Sequence, residues 1–268
     1  MNTQTAIHIT DNYLINPTNP ITINLIGAGG TGSNMVMALA KMNHALTALG
    51  HPGLQVYLYD NDRVSEANQG RQLFADSELG MFKSVALINR INRFFGTNWK
   101  AVTELFHQTA LNTFPNNGKA NLYISCVDKV AARMNIAEIL KGISVDSRYE
   151  RNKPLYWMDC GNSKDTGQVI LSTIEAVKQP ESEQYRTVTK LPMVTDEFKG
   201  LLETSELDDD TPSCSVAEAL TKQDLFINST LANLGASLLW SLFREGMIFN
   251  RGFFLNLKEF RTQPLKVG

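Results

Sequence analysis

From about residue 21 the chain alternates short apolar runs with longer stretches whose apolar positions recur every three or four residues. "ITINLI" (21–26) reads as a strand, and "SNMVMALAKMNHALTALG" after Gly32 as a helix stopped at Gly50. A second strand is expected at 55–59. A helix over "GMFKSVALINRINRFFG" then also ends at a glycine. A short strand at 101–102, a clearer one at 122–127 ("LYISCV") and a helix from about 129 to 141 complete the first half. Strands alternating with helices in this way predict βαβ units and a parallel sheet.

The second half departs from that rhythm. Strands are expected at 155–159 and 169–173, with only "CGNSKDTG" between them. That connection is too short for a parallel crossover, so the sheet should turn antiparallel here. Residues 178–212 carry nine acidic and four basic side chains and read as a long irregular, acidic crossover loop, extending to 213. Residues 216–244 are helical in pattern, and "FFLNL" (253–257) suits an edge strand. No internal repeat divides the 268 residues, which read as a single α/β domain.

Composition removes several classes of function. A formal net charge of −2 gives no footprint for nucleic acid or an anionic membrane. No apolar run reaches the roughly 18 residues needed to span a bilayer, and the N-terminal residues lack the pattern of a signal peptide. The three cysteines, Cys126, Cys160 and Cys214, are far apart and odd in number, which suits a reducing cytoplasm. With no Cys-x-x-Cys pair and four histidines, no zinc is expected.

Two segments carry candidate chemistry. "NLIGAGGTGSN" places Gly27, Gly29, Gly30 and Gly32 directly after a strand and at the start of a helix. Such a loop lets the backbone approach phosphate, and the helix N-terminus offers unpaired N–H groups. Asp60 ends the second strand, where a carboxylate can accept hydrogen bonds from ribose hydroxyls, and it lies 28 residues past Gly32. These features alone fit NAD or ATP equally well. The segment after Asp60 is the second: "DNDRVSEANQGRQ" contains Asp62, Asn68, Arg71 and Gln72, and Lys83 follows. Asp128 sits at the end of the "LYISCV" strand, the edge where open α/β sheets place ligands.

In this order, "GAGGTG", "DNDRVSEANQGRQ", "GMFK" and "CVDKVAARMNI" resemble the ThiF/MoeB/HesA family of E1-like activating enzymes. The resemblance covers about half of the chain. It implies a Rossmann-like E1/ThiF fold, with a parallel sheet in the first half continuing as antiparallel strands and helices on both faces. It implies ATP- and Mg²⁺-dependent adenylation of the C-terminal glycine carboxylate of a small ubiquitin-like β-grasp protein, carried out by a homodimer. By resemblance Asp60 holds the ribose, Arg71 and Lys83 the phosphates, and Asp128 the metal, with Asn68 and Gln72 as neutral donors. Length and the late Pro212-Ser213-Cys214 also resemble the ThiF-related proteins of PRTRC cassettes.

Each residue has a plainer reading. Arg71 and Lys83 also suit solvated surface charges, Asp62 a loop carboxylate, and Asp128 the cap of the following helix. Arg133 reads as a structural ion-pairing residue. Cys214 resembles the thiol that accepts the acyl group in ThiF-like enzymes, or else a small buried residue. Cys126 and Cys160 fall in strand contexts and read as core. Relatives also commonly carry an arginine near the N-terminus that reaches the γ-phosphate in the partner subunit's site, and here none precedes Arg63. That absence keeps a non-catalytic E1-like scaffold in view beside the enzyme, and the glycine loop with Asp60 keeps a nicotinamide oxidoreductase.

Overall fold

The computed structural model describes residues 4–69, 72–106, 118–143, 151–200, 202 and 223–268. At its centre is an eight-stranded sheet in the order β11-β10-β7-β6-β5-β2-β3-β4. β2 (Ile21–Ile26), β3 (Leu54–Tyr59), β4 (Lys100–Val102), β5 (Leu122–Ser125) and β6 (Tyr156–Asn162) run parallel. β7 (Thr166–Thr173), β10 (Asn250–Asn256) and β11 (Arg261–Lys266) continue the sheet antiparallel. The turn to antiparallel pairing falls at the short 163–165 connection, as the sequence predicts.

Helices cover both faces. Alternate positions along β2, β5 and β7 (Ile23, Leu25, Leu122, Ile124, Val169 and Leu171) share one core layer. That layer also holds α2 (Gly30–Ala48), α3 (Lys83–Phe95) and α6 (Ile227–Glu245). Tyr123 and Ile170 face the other way, against α4 (Val130–Gly142) and α5 (Val194–Glu197). β2 and β5 are buried at every position, which is why they read as largely apolar runs rather than strictly alternating ones.

One expectation is corrected and another is refined. The 253–257 segment belongs to β10, which is interior to the sheet because β11 pairs along its outer side. Within the expected irregular loop, most of residues 178–200 is exposed and irregular, but β8 (Tyr185–Thr187) pairs with β1 (Thr5–Ile9), and Leu191, Met193 and Val194 are buried. β1 also pairs with β9 (Met247–Ile248), making a small sheet from segments far apart in sequence. A short helix α1 (Asn12–Ile15) follows β1. No helix among the described residues is long and apolar enough to cross a membrane.

Candidate active site

β2 lies inside the sheet, with β3 on one side and β5 on the other. The chain leaves β2 towards β3 and later returns to the opposite flank at β5, so the switch point of the sheet lies at the C-terminal ends of these strands. Ligands of open α/β sheets bind there. The glycine loop, Asp60 and Asp128 all follow these strand ends.

Two contacts shape the loop. Gly27 leaves β2 at φ 95°, a left-handed backbone suited to glycine, and a Cβ there would stand 2.6 Å from the Cys126 carbonyl oxygen. A Cβ on Gly32, in the first turn of α2, would lie 1.9 Å from the Gly27 carbonyl oxygen. At Gly29, by contrast, a Cβ would meet nothing within 4 Å. α2 begins at Gly30 with no side chain capping it, so its first N–H groups and positive dipole end are presented at the loop. Gly30 itself packs on Asn228 of α6, whose Oδ1 accepts from the Thr31 hydroxyl at 2.9 Å.

Asp60 closes the loop from β3. Its carboxylate accepts from the Ala28 N–H at 2.6 Å and the Asp62 N–H at 2.8 Å. Burial pushes its pKa above the ordinary carboxylate range, opposed by those two donors and by Lys83. A carboxylate offers about four lone-pair sites, so these bonds leave acceptor capacity for a ligand.

Lys83 opens α3 and is not a solvated surface charge. Its side chain is 9% exposed, and Nζ donates to Asp62 Oδ2 at 2.9 Å, while Asp62 remains 66% exposed. Asn68 caps the turn after Ser65, its Oδ1 accepting from the Ser65 N–H at 2.9 Å and hydroxyl at 3.0 Å. Gln72 is buried, and its side-chain oxygen has no hydrogen-bond partner among the described residues. Arg71 and Cys214 lie outside the described residues.

Asp128 is exposed just beyond β5. α4 is entered through Lys129 with no side-chain cap, so Asp128 is not the helix cap its position also suited. Its backbone is held from below by Arg133, whose Nη1 donates to the Asp128 carbonyl at 3.3 Å and Nη2 to that of Val127 at 2.6 Å. Arg133 Nε also donates to both Asp159 carboxylate oxygens, at 3.2 and 3.1 Å, in a buried ion pair. This is the structural ion pairing expected of Arg133. The Ser125 hydroxyl donates to Asp159 at 2.6 Å and accepts from Trp157 Nε1 at 2.8 Å.

Sequence reasoning did not single out Asp159, Ser125 or Asn228. Asp159 had a usable signal, a carboxylate at the end of an otherwise apolar strand. Asn228 had none, because its helix also carries Ser229, Thr230 and Asn233.

A mostly parallel sheet with a glycine loop at its switch point and an acid ending the adjoining strand defines a nucleotide-binding α/β protein with the E1-like fold. The ThiF family model matches residues 15–239, and the chain belongs to the ThiF family. Among solved structures it is similar to E. coli MccB with ATP, at 13% identity and a TM-score of 0.56 over 95% of this chain and 65% of that one. It is likewise similar to PaaA (16%, TM-score 0.58, 92% and 64%) and to E. coli MccB with MccA-N7isoAsn (14%, 0.56, 92% and 64%). At these identities the likeness shows the fold, and the chain spans just under two-thirds of the length of these structures. No curated protein matches it by sequence.

Proposed function

We propose that the protein is an ATP-dependent adenylyltransferase that activates the C-terminal glycine carboxylate of a small ubiquitin-like β-grasp protein. The observation that carries this reading is a second set of charged groups flanking the glycine loop. Lys83 is buried against Asp62 on the β3 side, and Asp128 stands exposed on the β5 side. A triphosphate needs compensating cations and a metal-holding carboxylate, whereas a nicotinamide ribose needs neither. MccB, one of the structures of similar fold, has been solved with ATP and with MccA, which supports a peptide or protein carboxylate as substrate.

In the proposed reaction a carboxylate oxygen of the partner attacks the α-phosphorus of ATP. A new P–O bond forms, the bond to the β-phosphate oxygen breaks, and pyrophosphate leaves, giving an acyl adenylate. Asp60 orients the ribose. The α2 N-terminus, Lys83 and Arg71 stabilise charge that grows on the phosphoryl oxygens, by positioning and electrostatics rather than covalent chemistry. Asn68 and Gln72 are the neutral donors of the same cluster.

The donor set fits a Mg²⁺ ion bound through substrate phosphates. The Asp128 carboxylate has no hydrogen-bond or ion-pair partner among the described residues, and no group of three or more His, Cys, Asp or Glu there could hold a metal alone. One carboxylate plus phosphate oxygens is a usual Mg²⁺ environment. When bound, the ion would neutralise phosphate charge. Transfer to Cys214 would follow by attack of its sulfur on the acyl carbon, with AMP leaving. We read the working form as a homodimer in a reducing cytoplasm.

The test is ATP–pyrophosphate exchange with small β-grasp proteins ending in glycine. Exchange should depend on the partner carboxylate and fall by at least tenfold in Asp128→Asn, whose fold should persist. Arg71→Ala should cost about 2–4 kcal/mol of transition-state stabilisation. Exchange that survives both changes would remove these residues from the site.

A further inference from the structure

Cys126 and Cys160 have no part in the chemistry proposed above. β5 and β6 are parallel and in register from Leu122 opposite Tyr156 to Ser125 opposite Asp159. The next position on each strand sets the two cysteines side by side. Both are free thiols, and both face the α2 and α6 core layer. Cys160 is buried, and Cys126 is half-buried at the strand end that opens to the ligand edge. The contact with Cys126, and then burial, pushes the Cys160 thiol well above its ordinary pKa.

The end of β5 is held from two sides. Gly27 rests on the Cys126 carbonyl without room for a methyl group, and a Cβ on Gly32 would lie 3.5 Å from the Cys126 Cβ. From the opposite face Arg133 Nη2 donates to the carbonyls of Val127 and Cys160, at 2.6 and 3.4 Å. Any displacement of Cys126 is therefore passed to the glycine loop.

We propose that this pair is an oxidation site: a peroxide links Cys126 to Cys160 as a disulfide, which displaces the glycine loop. In the first step the more accessible Cys126 sulfur attacks a peroxide oxygen. The S–O bond forms, the O–O bond breaks, and one water leaves a sulfenic acid. The Cys160 sulfur then attacks the Cys126 sulfur, the S–S bond forms and the S–O bond breaks, releasing a second water. The two thiols lose two electrons, and one hydrogen peroxide is reduced to two waters. In-register positions on neighbouring strands lie about 4.8 Å apart, while a disulfide brings its Cβ atoms to about 3.8 Å with its Cα atoms usually about 5.5–6 Å apart. Closing the bond tilts the two Cα–Cβ bonds towards each other and twists the strand ends, and Gly27 has no clearance to absorb the shift. Loss of nucleotide binding on oxidation follows if the adenylyltransferase reading holds.

The test treats the full chain with hydrogen peroxide, maps disulfides by peptide mass, and follows amide hydrogen exchange of residues 27–33. A Cys126–Cys160 disulfide should form, and exchange in the loop should quicken roughly tenfold, both reversed by dithiothreitol. Cys126→Ser and Cys160→Ser should each keep the protected loop and lose the response, while Cys214→Ser keeps it. If either serine variant fails to fold, the other still decides. Thiols that stay unlinked, or a disulfide with unchanged loop exchange, would overturn the proposal. Calorimetry with ATP on both forms separates the two readings: a reduced protein that ignores ATP would defeat the nucleotide assignment, while the disulfide and loop readouts still judge the oxidation site.

Discussion

His8 donates from Nδ1 to the Val188 carbonyl at 2.7 Å and receives the Tyr156 hydroxyl on Nε2 at 2.9 Å. That hydroxyl in turn accepts from the Asp11 N–H at 3.1 Å. The ring is thereby held in one neutral tautomer. Burial lowers its pKa below 6.5, opposed by the Val188 bond and the Asp11 charge. The folded pKa is depressed, so the stability it contributes is present above the unfolded value and lost as pH falls through the folded one. The melting temperature should drop as pH is lowered below about 6.5, and His8→Gln should flatten that dependence. An unchanged slope would show that His8 is not the titrating group. Arg133 gives a second check at this scale. Arg133→Met strands the Asp159 carboxylate in the core and should cost about 3–5 kcal/mol in urea unfolding. The sequence disclosed Arg133 as an ion-pairing residue, but its partner sits 26 residues away on the next strand. No local spacing reveals that pairing.

At the scale of elements, the glycine loop separates two roles that one motif conceals. Gly32→Ala sets a methyl group against the Gly27 carbonyl and should lower the melting temperature markedly. Gly29→Ala meets no protein atom within 4 Å and should leave it unchanged, yet weaken nucleotide binding if phosphate passes over that position. Equal effects of both substitutions on stability would contradict this division. Legibility followed the same physics. β2, β5 and the helices ending near Gly50 and Gly96 were readable because buried runs and glycine stops are local signals. β1, β8 and β9 are two to five residues long and pair with segments far away in sequence, so nothing local marks them. β11, "RTQPLK", is almost wholly exposed and contains Pro264, and such a polar segment does not announce a strand. Acidic residues dominated the reading of 178–212, yet the buried Leu191, Met193 and Val194 decide how its first part packs.

For the whole molecule, the order of motifs carried more information than any single residue. The glycine loop and Asp60 left ATP and NAD equally open, and the groups beyond Asp60 favour ATP. Of those groups, Asn68, Gln72, Lys83 and Asp128 fall among the described residues, and burial or an exposed carboxylate gives two of them a definite character. Lys83 is buried beside Asp62, and Asp128 caps no helix and has no ion pair among the described residues. Spacing could not have supplied either fact, because both depend on what the remainder of the fold places nearby. The most direct measurement is titration calorimetry of the reduced protein with ATP and with NAD(H), each with and without Mg²⁺. ATP should bind saturably, its affinity should fall by at least tenfold when Mg²⁺ is withheld, and NAD(H) should give no saturable heat. Saturable NAD(H) binding with no response to ATP would contradict the account.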